Sequence, residues 1–203
     1  MKDKSHNVVG ILAVQGDFAM HARVLARIGA PWKLVKHVED LAEIDGLIIP
    51  GGETTTMLKF LGEGFGEKLK EFAKQGKPVF GTCAGAILLA KEVLNPAQES
   101  LGLIDISIER NAYGRQVDSA VRQGECPELS DHPVEMVFIR APIIRRIGKG
   151  VKILGRAEEL PVLVEQANIL AATFHPELTE DEAVHRYFLE KLDARRGSAS
   201  SSR

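Results

Sequence analysis

Residues 78–94 read PVFGTCAGAILLAKEVL. Pro78, Val79 and Phe80 have the character of a buried strand end. From Ala86 to Leu94 the residues are mostly helix formers, with apolar side chains at helical spacing. Cys83 stands at the corner, inside Gly81-Thr82-Cys83-Ala84-Gly85, a G-x-C-x-G sequence. This is the thiol counterpart of the G-x-S-x-G nucleophile elbow. A tight strand-to-helix turn pushes the central side chain out of the sheet, and glycine at the flanking positions allows the backbones to approach. The corner also puts the sulfur at a helix N-terminus, where dipole and free N–H groups favour thiolate. The N–H of Ala84 would then face a substrate carbonyl oxygen. The alternative is a cysteine that serves as a small buried hydrophobe.

The surrounding chain repeats this strand-to-helix alternation. Val8–Val14 is a continuous apolar run suited to a strand buried on both faces. Residues 17–28 are helical in pattern and closed by Gly29 and Pro31. Trp32–Val38 and Gly46–Ile49 are further strand candidates, and 54–75 is helical with a Gly62/Gly64/Gly66 interruption. The order predicts an α/β three-layer sandwich, a mostly parallel central sheet flanked by helices. Leu103–Glu109, Gln116–Val121 and Val134–Ile139 read as mixed or antiparallel strands added to that sheet. Val151–Leu154, Val162–Glu165 and Ile169–Phe174 continue it. A last helix is expected over about 180–192, within a single domain spanning 1–196, followed by a flexible tail at 197–203 (GSASSSR).

Composition narrows the class. The chain has 203 residues, 44% hydrophobic and 27% charged, which suits one globular domain. A net charge of −2 without a basic stripe does not favour nucleic acid. No apolar run reaches about 18 residues and no signal-peptide pattern is present, so no membrane is expected. Two cysteines, Cys83 and Cys126, are too few for a disulfide framework and fit reduced thiols in the cytoplasm, a single bridge being the alternative.

A thiol nucleophile needs a base, which is free to lie far away in sequence. Of six histidines, His6 and His37 read as solvated, His132 sits in a polar turn, and His185 is expected on the exposed side of the last helix. His21 attracts no role. His175 follows the apolar strand 169–174, at a strand end where α/β sheets display their chemistry. Glu177, two residues on, is placed to accept the second imidazole N–H, giving a Cys83–His175–Glu177 triad. Taken alone, His-Pro-Glu is also a plausible surface turn. The other oxyanion donor is expected from Pro50-Gly51-Gly52-Glu53, at Gly52, because adjacent glycines permit an inward-facing N–H. Neither phosphate-loop pattern occurs, and no cluster has metal-ligand spacing, so no metal or cofactor is inferred.

GTCAG (81–85), PGGETTT (50–56) and FHPEL (174–178) resemble the class I, triad-type glutamine amidotransferases. VQGDF (14–18), ERNAYGRQVDS (109–119) and FIRAP (138–142) narrow the resemblance to the glutaminase subunits of pyridoxal 5′-phosphate synthase. It runs from about Val8 to Leu192, and Thr54 replaces the family's usual serine. The resemblance implies hydrolysis of L-glutamine to glutamate and ammonia through a thioester on Cys83. It implies substrate binding by Gly51, Gly52, Glu53, Arg110, Ile139 and Arg140, and coupling through Gln15 to a (β/α)8-barrel synthase that takes the ammonia. A glutaminase serving another acceptor, or a cysteine hydrolase on a similar fold, are the alternatives.

Overall fold

The computed structural model describes residues 7–110 and 119–200. Most of ERNAYGRQVDS, together with His6, lies outside the described residues. Strands β1 (Val9–Leu12), β2 (Trp32–Val35), β3 (Gly46–Ile49), β4 (Val79–Thr82) and β12 (Ile169–Ala172) run parallel. Strands β10 (Lys152–Ala157) and β11 (Leu160–Gln166) add an antiparallel edge. Together these seven form the central sheet, in the order β10-β11-β12-β4-β3-β1-β2.

The continuous apolar runs are explained by burial on both faces. Leu47, Ile49, Val79, Ile169 and Ala171 face one apolar cluster, with α3 (Gly66–Lys74) and α4 (Ala84–Leu89) packed there. Their neighbours Ile48, Phe80, Leu170 and Ala172 face the other, with α1 (Phe18–Ile28) and α5 (Ala183–Ser200). Strict alternation along each strand thus feeds two cores, one on each side.

Three expectations need correction. The helix after Cys83 is short: α4 ends at Leu89, and Ala90–Leu94 is a strand, β5. Ala90 turns to φ −60°, ψ 151°, and pairing with β6 (Ile104–Glu109) replaces the helical bonds that Lys91, Glu92 and Val93 could have made. The strands of the second half do not all join the central sheet. Strands β5, β6 and β9 (Ile143–Ile147) form a separate three-stranded sheet, and β7 (Ser119–Gly124) with β8 (Val134–Ile139) form a hairpin. Outside the named strands, a bridge between Glu125 and Arg156 ties β7's end to the central sheet. Residues 54–75 are helical as expected, interrupted at the glycines: α2 (Thr54–Phe60) passes through a π turn over Leu61–Phe65 into α3. Helix α5 runs to Ser200, beyond the end expected at about 192 and into the stretch expected as a flexible tail; residues 201–203 lie outside the described residues.

Candidate active site

Parallel strands present their C-terminal ends on one rim, and the loops after β1, β3, β4 and β12 meet there. They surround a pocket of about 530 Å³ lined by Gln15, Asp17, Gly52, Glu53, Cys83, Arg110 and His175, with Thr54, Ala84, Ile87, Ile139 and Arg140.

Cys83 leaves β4 with φ 47°, outside the usual range for a residue with a side chain. Such strain persists only where surrounding packing fixes it. Gly85 shows what fixes it here: a Cβ at this position would lie 2.0 Å from the carbonyl oxygen of Ile49. The first turn of α4 therefore rides directly on β3, and Cys83 is turned toward the rim. Its sulfur lies 4.0 Å from the carbonyl oxygen of Ile139.

His175 follows β12, its backbone N–H held by the Val137 carbonyl at 2.8 Å. Its Nδ1 lies 2.8 Å from Glu177 Oε1, within the short helical turn Pro176–Leu178. Both side chains are buried. A Cβ on Gly51 would fall 2.4 Å from His175 Cε1 and 3.4 Å from Cys83 Cβ, so the glycine loop, the ring and the thiol converge on one point. Burial pulls the His175 imidazole down, but hydrogen bonds to Cys83 and Glu177 outweigh it and raise the group to about 10. Burial pushes the Glu177 carboxyl up, opposed by its bond to His175.

The remaining expected residues fall around this centre. Glu53 caps α2: its carboxylate accepts from the N–H groups of Thr55 and Thr56 at 3.0 Å, and these threonines hold it low, at about 2. Its carbonyl accepts from Gln15 Nε2 at 2.8 Å, which joins the first loop to the third. Arg110 donates to Thr54 Oγ1 at 2.8 Å, and that hydroxyl contacts Gln98 Oε1 at 3.2 Å. The hydroxyl that threonine shares with serine is thus in use. Arg140 lines the mouth with φ 43°.

Two residues with no assigned part belong to the neighbourhood. Asp17 places Oδ2 3.6 Å from His175 Nδ1. Asp17, His175 and Glu177 each bring a donor atom within 4.8 Å of the others, though Nδ1 and Oε1 are already bonded to each other. His21 is fully buried on α1, with Nε2 3.2 Å from Thr82 Oγ1 and 3.5 Å from Glu177 Oε2. Its Nδ1 lies 2.9 Å from Nε2 of His185. His185, expected on the exposed side of the last helix, is fully buried. It shares the stripe of Phe188 and Leu192, three and seven residues on, and that stripe faces α1 and the sheet.

This burial has a measurable consequence. Desolvation, with the charges of His185 and His175, lowers His21 well below the usual imidazole value. Desolvation, with the nearby Arg27 charge, lowers His185 to about 3. The folded state therefore resists protons that the unfolded state accepts near pH 6.5. The stability due to neutral histidines is full above that pH and is lost as pH falls toward the folded values. Each group contributes a slope of about 1.4 kcal/mol per pH unit. Urea unfolding between about pH 6.5 and 5 should approach an uptake of two protons, and His185→Phe should remove one of them. An unchanged slope in that variant would contradict neutral burial.

Comparison with known proteins agrees with this architecture. The family model "SNO glutamine amidotransferase family" matches residues 11–194. A protein of Koribacter versatilis named pyridoxal 5′-phosphate synthase subunit PdxT is 54% identical, the match covering 91% of this chain and 95% of that one. A protein of the same name from Solibacter usitatus is 56% identical, covering 91% and 98%. A crystal structure described as glutamine amidotransferase superposes with a TM-score of 0.86 at 48% identity, covering 91% and 98%. A putative GMP synthase protein from Thermoplasma acidophilum, at 16% identity and a TM-score of 0.69, covering 96% and 98%, shares the fold. With the family model spanning nearly the whole described chain and relatives above half identity, the chain belongs to the SNO glutamine amidotransferase family.

Proposed function

We propose that this chain is the glutaminase subunit of a pyridoxal 5′-phosphate synthase, hydrolysing L-glutamine and passing the ammonia to a (β/α)8-barrel synthase partner. The observation that carries the reading is a cysteine on a strained elbow sharing one pocket with a buried, carboxylate-bonded imidazole. In the proposed reaction the Cys83 thiolate attacks the carboxamide carbon and a C–S bond forms. The carbonyl electrons move to oxygen, which takes hydrogen bonds from the Gly52 and Ala84 N–H groups. His175, as imidazolium, protonates the departing nitrogen, and ammonia leaves with a γ-glutamyl thioester behind. The neutral imidazole then deprotonates a water that attacks the thioester, releasing glutamate and restoring the thiolate. Glu177 orients the ring throughout.

The substrate's charged end would bind at the mouth. Arg110 and Arg140 supply cations for the α-carboxylate, with Gly51, Gly52, Glu53 and the Ile139 backbone around the rest. Arg110→Ala should raise the KM for glutamine roughly 10–100-fold with a smaller effect on kcat. Steady-state ammonia release in the assembled complex checks this; an unaltered KM would remove Arg110 from the carboxylate site.

Docking beside the mouth is supported by the outward face of the β7–β8 hairpin, where Val121 and Ile139 are exposed and Val137 is half-buried. Gln15, bonded across to Glu53, lies where a docked partner would reach the glycine loop. Among the described residues no helix is long and apolar enough to cross a membrane. Both cysteines are free thiols, which suits a reducing cytoplasm. The deciding experiment is ammonia release from glutamine by the purified chain, with and without the synthase. No release in either state, with the two proteins bound, would refute the proposal.

A further inference from the structure

The triad reading uses one oxygen of Glu177, Oε1, through His175. The other, Oε2, is buried without a hydrogen-bond partner at ordinary distance, and His21 Nε2 stands 3.5 Å from it. His21 in turn meets His185 at 2.9 Å, nitrogen to nitrogen, so one of the two must donate. Only two neutral arrangements are possible. If His21 donates from Nδ1, its bare Nε2 faces a carboxylate oxygen. His185 is then left with a buried Nδ1–H that has no partner. If His185 donates from Nε2, His21 carries its proton on Nε2, toward Thr82 Oγ1 and Glu177 Oε2. His185 Nδ1 is then a bare acceptor. Buried orphan N–H groups are the rarer of the two defects, and a lone pair set against a carboxylate is repulsive. The second arrangement wins on both counts.

We propose that His21, fixed in its Nε2–H tautomer by His185, is a positioning residue that holds the second oxygen of Glu177, so that the carboxylate is gripped between two imidazoles. This deepens the proposed glutaminase mechanism and rests on Glu177 being its orienting carboxylate. The 3.5 Å contact is long for a hydrogen bond, so this grip is weaker than that of His175 on Oε1 at 2.8 Å. His21 suits the task because burial keeps it neutral: it gives an N–H to the carboxylate without adding a charge. Thr82, the residue before the nucleophile, shares that N–H and links the support to the elbow. The other titratable groups around this chain of contacts are Asp17 and Cys83 at His175, and Arg27 and Glu182 near His185.

Without the His21 N–H, Oε2 is left buried and unpaired, and Glu177 binds a proton more readily. Once protonated it no longer sustains the His175 imidazolium, so the acidic limb of the pH–rate profile moves to higher pH. A merely structural role would lower the profile without moving that limb.

Two measurements test this. Imidazole 15N–1H correlation spectra of the wild-type chain should show His21 as the neutral Nε2–H tautomer between about pH 6 and 9. An Nδ1–H tautomer, or titration at the ordinary imidazole value, overturns the proposal whether or not any variant folds. In the complex with the synthase, His21→Leu should lower kcat roughly 10–100-fold, leave the KM for glutamine unchanged and move the acidic limb of the profile to higher pH. His21→Gln, whose amide nitrogen can reach the Nε2 position, should recover most of kcat. An unmoved acidic limb in His21→Leu, or a glutamine variant no better than leucine, refutes it. Failure of the glutaminase reading itself would appear instead as no ammonia release from glutamine by the wild-type complex.

Discussion

Cys83→Ala is expected to remove glutamine hydrolysis, by roughly four to six orders of magnitude in kcat, while the protein folds and binds its synthase partner as before. Alanine keeps the Cβ, so the elbow retains the packing of Gly85 against Ile49. The positive φ of residue 83 costs alanine about what it costs cysteine. What disappears is the sulfur at the pocket floor, the atom able to form an acyl bond and then release it. Residual rate would come from the oxyanion donors and from binding. The second thiol offers no substitute: Cys126 is buried in the opposite core, and burial pushes it up to about 11. Ammonia release in the complex, with partner binding measured separately, gives the answer. Appreciable turnover by the alanine variant would dismiss Cys83 as nucleophile.

The parts of this arrangement that sequence reveals are those set by local rules. Continuous apolar runs betrayed β1, β3, β4 and β12, because a strand buried on both faces has no polar alternation to hide it. The glycines around Cys83 and at 51–52 announced close approaches, and Cβ contacts of 2.0 Å and 2.4 Å at Gly85 and Gly51 give the reason. Ala90, Lys91 and Glu92 misled, since helix formers become a strand when β6 offers pairing that propensity alone cannot foresee. His21 was illegible for another reason. On α1 it is flanked by Ala22 and Leu25, and its partners Glu177 and His185 lie 156 and 164 residues away. Nothing local distinguishes it from an ordinary core histidine. His185 did leave a trace, its three- and seven-residue spacing to Phe188 and Leu192.

Glu177→Gln should be the most damaging change that leaves every reacting atom in place, lowering kcat roughly 10³–10⁴-fold. The carboxylate presents acceptors on both sides, Oε1 toward His175 Nδ1 at 2.8 Å and Oε2 toward His21 Nε2 at 3.5 Å. An amide of the same shape has one acceptor and one donor. If its oxygen faces His175, its NH₂ meets the N–H of His21. If it turns over, the NH₂ drives the proton of His175 from Nδ1 to Nε2, the nitrogen needed as base. Either way the negative charge that sustains the imidazolium is gone, and His175 should no longer lie near 10 but fall toward values set by burial. The basic limb of the pH–rate profile should therefore move to lower pH, whereas a purely steric defect would leave it in place. The KM for glutamine should change little, because Glu177 is buried beneath the pocket and is not among the residues lining it. If kcat and the basic limb were both preserved in Glu177→Gln, the imidazole would have to be oriented by something else. Asp17, 3.6 Å from the same nitrogen, would then be the residue to replace next.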